Sequence, residues 1–238
     1  MNNRKKQETF YGIGIGPGDP ELLTLKAVRL LEQCPVIACP QTAGEKTLAL
    51  DIVRKAVSFE GKTVLPLSFS MSREKEVREK SHMQAAELIL SELAAGRDVA
   101  MITLGDVSIY STYAYLQPLI QAAGYRTQMV PGVPSFCVVA ARLGQSLAEG
   151  KAPLHILPAG YDGWEDALSL PGTKVLMKAG RSLPGVAKAL EERGLANSAA
   201  LVQNCGLADE LVRKDMTGGL PETGYFTTVV VREGKESR

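Results

Sequence analysis

Two glycine turns carry the residues best suited to chemistry in this chain. The first runs Gly12-Ile13-Gly14-Ile15-Gly16-Pro17-Gly18-Asp19 and the second centres on Gly105-Asp106. Ahead of the second, the apolar run Val99-Ala100-Met101-Ile102 ends abruptly, and Ser108, Ser111 and Thr112 follow before a helical pattern begins at Tyr113. A strand that stops at Gly-Asp and turns straight into a helix presents backbone N–H groups to a ligand. Asp106 adds a carboxylate that could accept a ribose hydroxyl, pair with an ammonium, take a proton, or only cap its own turn.

The common glycine-rich ligand loops do not fit. Counted from Gly14, a dinucleotide fingerprint needs glycine at position 19, where Asp19 stands; counted from Gly12, it needs one at position 17, where Pro17 stands. No Gly-Lys-Ser/Thr follows, so a phosphate-binding P-loop fails as well.

Composition narrows the classes further. The 238 residues are 45% hydrophobic and carry a net charge of +1, which gives no support to general nucleic-acid binding. Four cysteines, Cys34, Cys39, Cys137 and Cys205, lack C-x-x-C spacing, and only His82 and His155 could join them, so no metal site is expected. No apolar run is long enough to span a membrane and no signal peptide is visible, which together point to the cytoplasm.

The elements around the turns alternate between strand and helix. Strands are expected at 10–15, 36–38 (stopped by Pro40), 62–67, 99–102 and 126–130. Asp19-Pro20-Glu21 reads as the start of a helix with Leu22, Leu25, Val28 and Leu31 on its inner face. Further helices fit 45–57, 73–95 and 113–123, and one runs to Leu143. The polar helix offers Glu74–Arg78 and Glu76–Lys80 pairs, and Gly96 closes it. The pattern predicts a tail over 1–9, an α/β domain over 10–148, and a strand-richer α+β domain over 149–238 with strands at 154–157, 174–177, 199–203 and 225–231. A last tail is expected from Arg232.

Three motifs in order make the chain resemble a known family. Gly12-x-Gly14-x-Gly16-Pro17-Gly18-Asp19-Pro20-Glu21, Gly105-Asp106-Val107-Ser108-Ile109-Tyr110-Ser111-Thr112 and Val130-Pro131-Gly132-Val133-Pro134-Ser135 resemble the successive signatures of the tetrapyrrole (corrin/porphyrin) methyltransferases. Tyr110 to Leu116, Pro131 to Phe136 and Leu154 to Ala159 are most similar to the branch acting at carbon 20 of precorrin-2 or cobalt-factor II. Two positions depart from the pattern: Val107 where proline is common, and Pro134 where threonine is common.

The resemblance implies a fold, a cofactor and partners. It implies two α/β domains of the tetrapyrrole methylase type, not the Rossmann methyltransferase type, with S-adenosylmethionine in the cleft between them. It also implies a homodimer and a polycarboxylate tetrapyrrole substrate. By motif position, cofactor contacts fall on Pro17, Leu104, Gly105, Asp106, Ile109, Pro134 and Ser135, joined by Lys178, Asn204 and Cys205, with Thr227 and Thr228 as further candidates. Asp106 is the candidate catalytic base or orienter. Arg73, Arg78, Arg142, Lys151 and Arg181 are candidates for the substrate's carboxylates. Rival readings are methylation at another ring carbon, methylation of RNA or of a modified protein histidine, and a non-catalytic nucleotide-binding module.

Overall fold

The computed structural model describes residues 8–41, 48–72, 74–222 and 224–232. Backbone contacts divide the chain between Pro134 and Ser135 into two units. The change of texture in the sequence lies further on, in the loop after the helix Ser135–Leu143.

The first unit is built on a fully parallel sheet. Its strands are β1 (Thr9–Gly14), β2 (Val36–Gln41), β3 (Thr63–Ser68), β4 (Val99–Thr103) and β5 (Arg126–Val130), in the order β3-β2-β4-β1-β5. Successive side chains along a strand point to opposite faces, and the core follows that period of two. Ala100 and Ile102 join Ile13, Ile15, Ile37 and Val130 on one face, under α1 (Leu25–Gln33) and α2 (Leu48–Arg54). Val99 and Met101 join Phe10, Val36, Ala38 and Leu67 on the other, under α3 (Lys75–Ala94) and α4 (Tyr113–Ala122). A sheet covered on both faces explains why its strands read as continuous apolar runs.

Several expected boundaries move. Asp19 caps only a single 3-10 turn, Pro20–Leu22, accepting from the Glu21 N–H at 2.9 Å. The α-helix starts later, capped by Thr24, whose hydroxyl accepts from the Ala27 N–H at 3.1 Å. Its inner face is therefore Ala27 and Leu31, and Leu25 stands 91% exposed. Pro40 does not stop β2; it lies beyond Ala38, the last residue paired with β4, where a missing N–H is tolerated. On α3 Lys75 pairs with Glu79, exposed on both sides, Glu92 pairs with Arg97 just past its end, and Gly96 follows at φ +76. Residues 45–47 of the expected second helix, and Arg73, lie outside the described residues. Thr9, expected in the tail, is a buried strand residue whose N–H donates to Asp98 at 2.7 Å.

The second unit opens with α5 (Ser135–Leu143) and carries a mixed sheet of β6 (Leu154–Pro158), β7 (Thr173–Met177), β8 (Ala199–Gln203), β9 (Leu211–Arg213) and β10 (Thr227–Val231). The order is β6-β7-β10-β8-β9, with β10 antiparallel to both β7 and β8 and β6 parallel to β7. Leu176, Leu201, Val229 and Val231 form its core with Leu183, Val186 and Leu190 of α6 (Leu183–Glu192) and with Trp164 and Met216. The short strand β9 carries no strong pattern and was not expected from sequence. Arg232 is tied in, donating from its backbone to Ser198 and from its guanidinium to Glu149 at 3.1 Å.

Candidate functional site

The three motifs of the first unit meet at the C-terminal ends of adjacent strands, where ligands bind in open α/β sheets. Gly16 and Gly105 form an isolated antiparallel bridge: the Gly105 N–H donates to Gly16 O at 2.8 Å and the Gly16 N–H to Gly105 O at 3.2 Å. Both adopt left-handed φ, +75 and +72. A Cβ on Gly14 would stand 2.6 Å from the Gly132 nitrogen, and one on Gly132 would stand 2.5 Å from the Gly14 carbonyl carbon. Main chain touches main chain here, and any side chain would prise the three strand ends apart.

The glycines thus divide by role. Gly12 and Gly14 lie inside β1, not in a turn. Gly12 makes room for a neighbour, since a Cβ there would meet the Tyr113 ring at 2.5 Å. Tyr113 is fully buried, its hydroxyl donating to Phe10 O at 3.2 Å. The second motif also differs from a direct strand-to-helix turn: residues 104–112 form a loop between β4 and α4. Ser111 closes that loop by accepting from the Tyr113 N–H at 3.1 Å.

Asp106 organises the loop. Its Oδ1 accepts from the backbone N–H of Ser108 at 2.8 Å and from the Ser108 hydroxyl, while Oδ2 accepts from the Gly132 N–H at 2.9 Å. Partial burial pushes its carboxyl upward, but the Ser108 and Gly132 hydrogen bonds outweigh that and hold it below the usual aspartate range. Both oxygens are engaged and the anion is favoured, an arrangement suited to holding two loops together. Val107 is buried in the same core cluster as Phe10, Met101 and Tyr113. The departure from proline there is met by packing. Pro17, Leu104, Ile109 and Pro134 are half-buried around these strand ends.

The second unit has its own strand-end cluster. Lys178 follows β7 and Asn204 follows β8, and both are left-handed, at φ +56 and +50. Such conformations cost free energy in non-glycine residues and concentrate at ligand sites. The Ala179 N–H donates to Thr227 O at 2.8 Å and the Asn204 N–H to Phe226 O at 2.9 Å, so both turns hang on the start of β10. Lys178 Nζ lies 5.7 Å from the Tyr225 ring centroid. Thr227 and Thr228 are buried, with Thr227 Oγ1 donating to Gly224 O at 2.7 Å.

The Asn204–Cys205 turn is braced from within its own unit. Asn204 Nδ2 donates to Asp209 at 2.7 Å. Glu210 Oε2 accepts from the Gly206 N–H at 2.6 Å and from Arg142 Nε at 3.1 Å. Arg142, a sequence candidate for substrate carboxylates, is thus committed to Glu210. Burial, reinforced by the Glu210 charge, pushes the Cys205 thiol up to about 12, so it is inert packing at neutral pH. Sequence reasoning missed Glu210 and also Gln203, because an isolated polar residue at a strand end gives no periodic signal. Arg181 and Lys151 are exposed. Among the described residues, no three metal-ligating side chains come together, and no helix is long and apolar enough to cross a membrane.

The glycine-locked strand ends lie within a stretch that matches one protein family. Residues 9–220 match the tetrapyrrole (corrin/porphyrin) methylases, and the chain belongs to that family. It is 39% identical over 163 residues to a probable cobalt-precorrin-2 C(20)-methyltransferase of Methanocaldococcus jannaschii, covering 68% of each chain. It is 29% identical over 237 residues to the precorrin-2 C(20)-methyltransferase of a Sinorhizobium species, covering 95% of this chain and 96% of that one. Among solved structures, it superposes on the uroporphyrin-III C-methyltransferase of Thermus thermophilus complexed with S-adenyl homocysteine. The TM-score is 0.67 at 20% identity over 94% of this chain and 97% of that one, a likeness of fold.

Proposed function

We propose that the chain transfers a methyl group from S-adenosylmethionine to carbon 20 of precorrin-2 or its cobalt complex, as a cytoplasmic homodimer in corrin biosynthesis. The observation that carries this reading is the convergence of Gly14, Gly105 and Gly132 at the ends of β1, β4 and β5 in a chain that matches the family over residues 9–220. The two C(20)-methyltransferase relatives support the choice of carbon.

The residues present suit a nucleoside sulfonium. Each unit carries its own marks of polar ligand binding at its strand ends: a carboxylate-pinned loop in the first, and in the second two left-handed residues and an unpartnered buried amide oxygen at Gln203. The proposed contacts are Pro17, Leu104, Gly105, Asp106, Ile109, Pro134 and Ser135, together with Lys178, Asn204 and Cys205. When bound, the sulfonium supplies an already activated methyl. The chain then has to hold donor and acceptor carbon in line, and positioning of this kind contributes up to roughly 7–11 kcal/mol. In this reading Asp106 acts as orienter, because its oxygens are engaged by Ser108 and Gly132 and its carboxyl is held low. Exposed Arg181 and Lys151 remain available for the acidic rim of the macrocycle.

The test is methyl transfer with isotopically labelled donor, given precorrin-2 with and without cobalt. A labelled tetrapyrrole with one form identifies the substrate. Donor binding without any labelled tetrapyrrole contradicts the enzymatic reading.

A further inference from the structure

A buried polar atom without a partner calls for an explanation, and a missing ligand is one. Among the described residues, the buried side-chain atom in that state is Oε1 of Gln203. Gln203 closes β8, pairs in register with Thr227 of β10, and directly precedes the left-handed Asn204. The neighbouring polar groups are already engaged. Thr227 Oγ1 donates to Gly224 O, Asn204 Nδ2 donates to Asp209, and the Ala179 and Asn204 N–H groups donate to the β10 end. Among the described residues, the buried side-chain acceptor left without a partner at this strand end is Gln203 Oε1.

We infer that Gln203 Oε1 accepts a hydrogen bond from the exocyclic amino group of the donor's adenine ring. Charge disfavours the donor's other nitrogen group, the α-ammonium. A buried neutral amide oxygen matches a neutral N–H, whereas the donor's α-ammonium would be left desolvated without a countercharge. Of the nearby acids, Glu210 is already paired with Arg142, and Asp209 is exposed, where water screens its charge. Gln203 is therefore a binding residue that reads the base. The inference rests on the donor-binding reading above.

The experiment measures binding of three ligands: S-adenosylhomocysteine, its inosine counterpart lacking the 6-amino group, and its analogue lacking the α-amino group. Wild-type protein is expected to prefer the adenine ligand over the inosine one by about tenfold, the effect of one such hydrogen bond. Gln203→Leu should abolish that preference and keep the response to loss of the α-amino group. Its ligand-free melting temperature should equal or exceed that of wild type, because an orphaned acceptor has been removed. Gln203→Met, of similar length, repeats the comparison should leucine pack poorly. Retention of the adenine preference in both variants overturns the inference. So does loss of the α-amino response in its place, or equal weakening of all three ligands with a lowered melting temperature. Wild-type protein that binds none of the three overturns the donor-binding reading, and this inference with it.

Discussion

Asp106 and Gly132 are joined by a 2.9 Å hydrogen bond from the glycine N–H to carboxylate Oδ2, which ties the loop after β4 to the segment after β5. The bond explains why a Gly-Asp turn and a Pro-Gly turn occur in one chain twenty-odd residues apart. Each is half of a clasp, and Ser108 completes it through Oδ1.

Asp106→Asn removes the anion and sets an amide donor against one of the clasp's N–H groups. It should destabilise the protein by roughly 1–2 kcal/mol at neutral pH and weaken donor binding. The carboxyl is held below its unfolded value, so its contribution is present above about pH 4 and fades as pH falls through the folded value. Urea midpoints of wild type and variant should therefore converge at acid pH. An orienter also predicts that the pH–rate profile keeps its shape in the variant. Loss of the acidic limb, where protonation of a catalytic base slows the reaction, would instead mark Asp106 as the base.

Gly132→Ala and Gly14→Ala should each cost ~1–3 kcal/mol or more, because the added Cβ meets backbone that has nowhere to move. Gly12→Ala should be rescued in part by Tyr113→Leu, since the obstacle there is the tyrosine ring. Thermal unfolding of the single and double variants measures this. A Gly12→Ala defect untouched by the second substitution would place the clash elsewhere.

Lys178→Gly should raise the melting temperature, by relief of a left-handed non-glycine residue worth about 1 kcal/mol. Donor affinity should fall in the same variant. Opposed signs are expected where strain is kept for binding, and a lowered melting temperature with unchanged donor affinity would mean that Lys178 serves stability alone.

Thiol labelling of the native protein at mildly alkaline pH should modify one cysteine quickly. Cys137 is exposed, whereas Cys34, Cys39 and Cys205 are buried, and burial pushes Cys34 and Cys205 each up to about 12. Cys137→Ser should remove the fast phase.

Much of this was legible in the sequence. Val99 to Ile102 announced a strand, and in the fold its alternate residues enter the two cores. The three motifs, spread along the first unit's chain, do meet in space. The roles within them were harder to read. Gly12 and Gly14 looked like a ligand turn, yet they serve a tyrosine ring and a neighbouring backbone, because glycine spacing alone does not say what approaches. Asp19 looked like the cap of a long helix, but Thr24 holds that place, since Asp19 and Thr24 both suit capping and only packing decides between them. Gln203 and Glu210 were silent because their meaning lies in partners brought close by β10 and α5.

The most direct measurement is the position of the new methyl. Protein incubated with S-adenosylmethionine and precorrin-2, with and without cobalt, gives a product whose methylated carbon is located by NMR. The account predicts one new methyl, at carbon 20, with one of the two substrates. A methyl at any other ring carbon would contradict it.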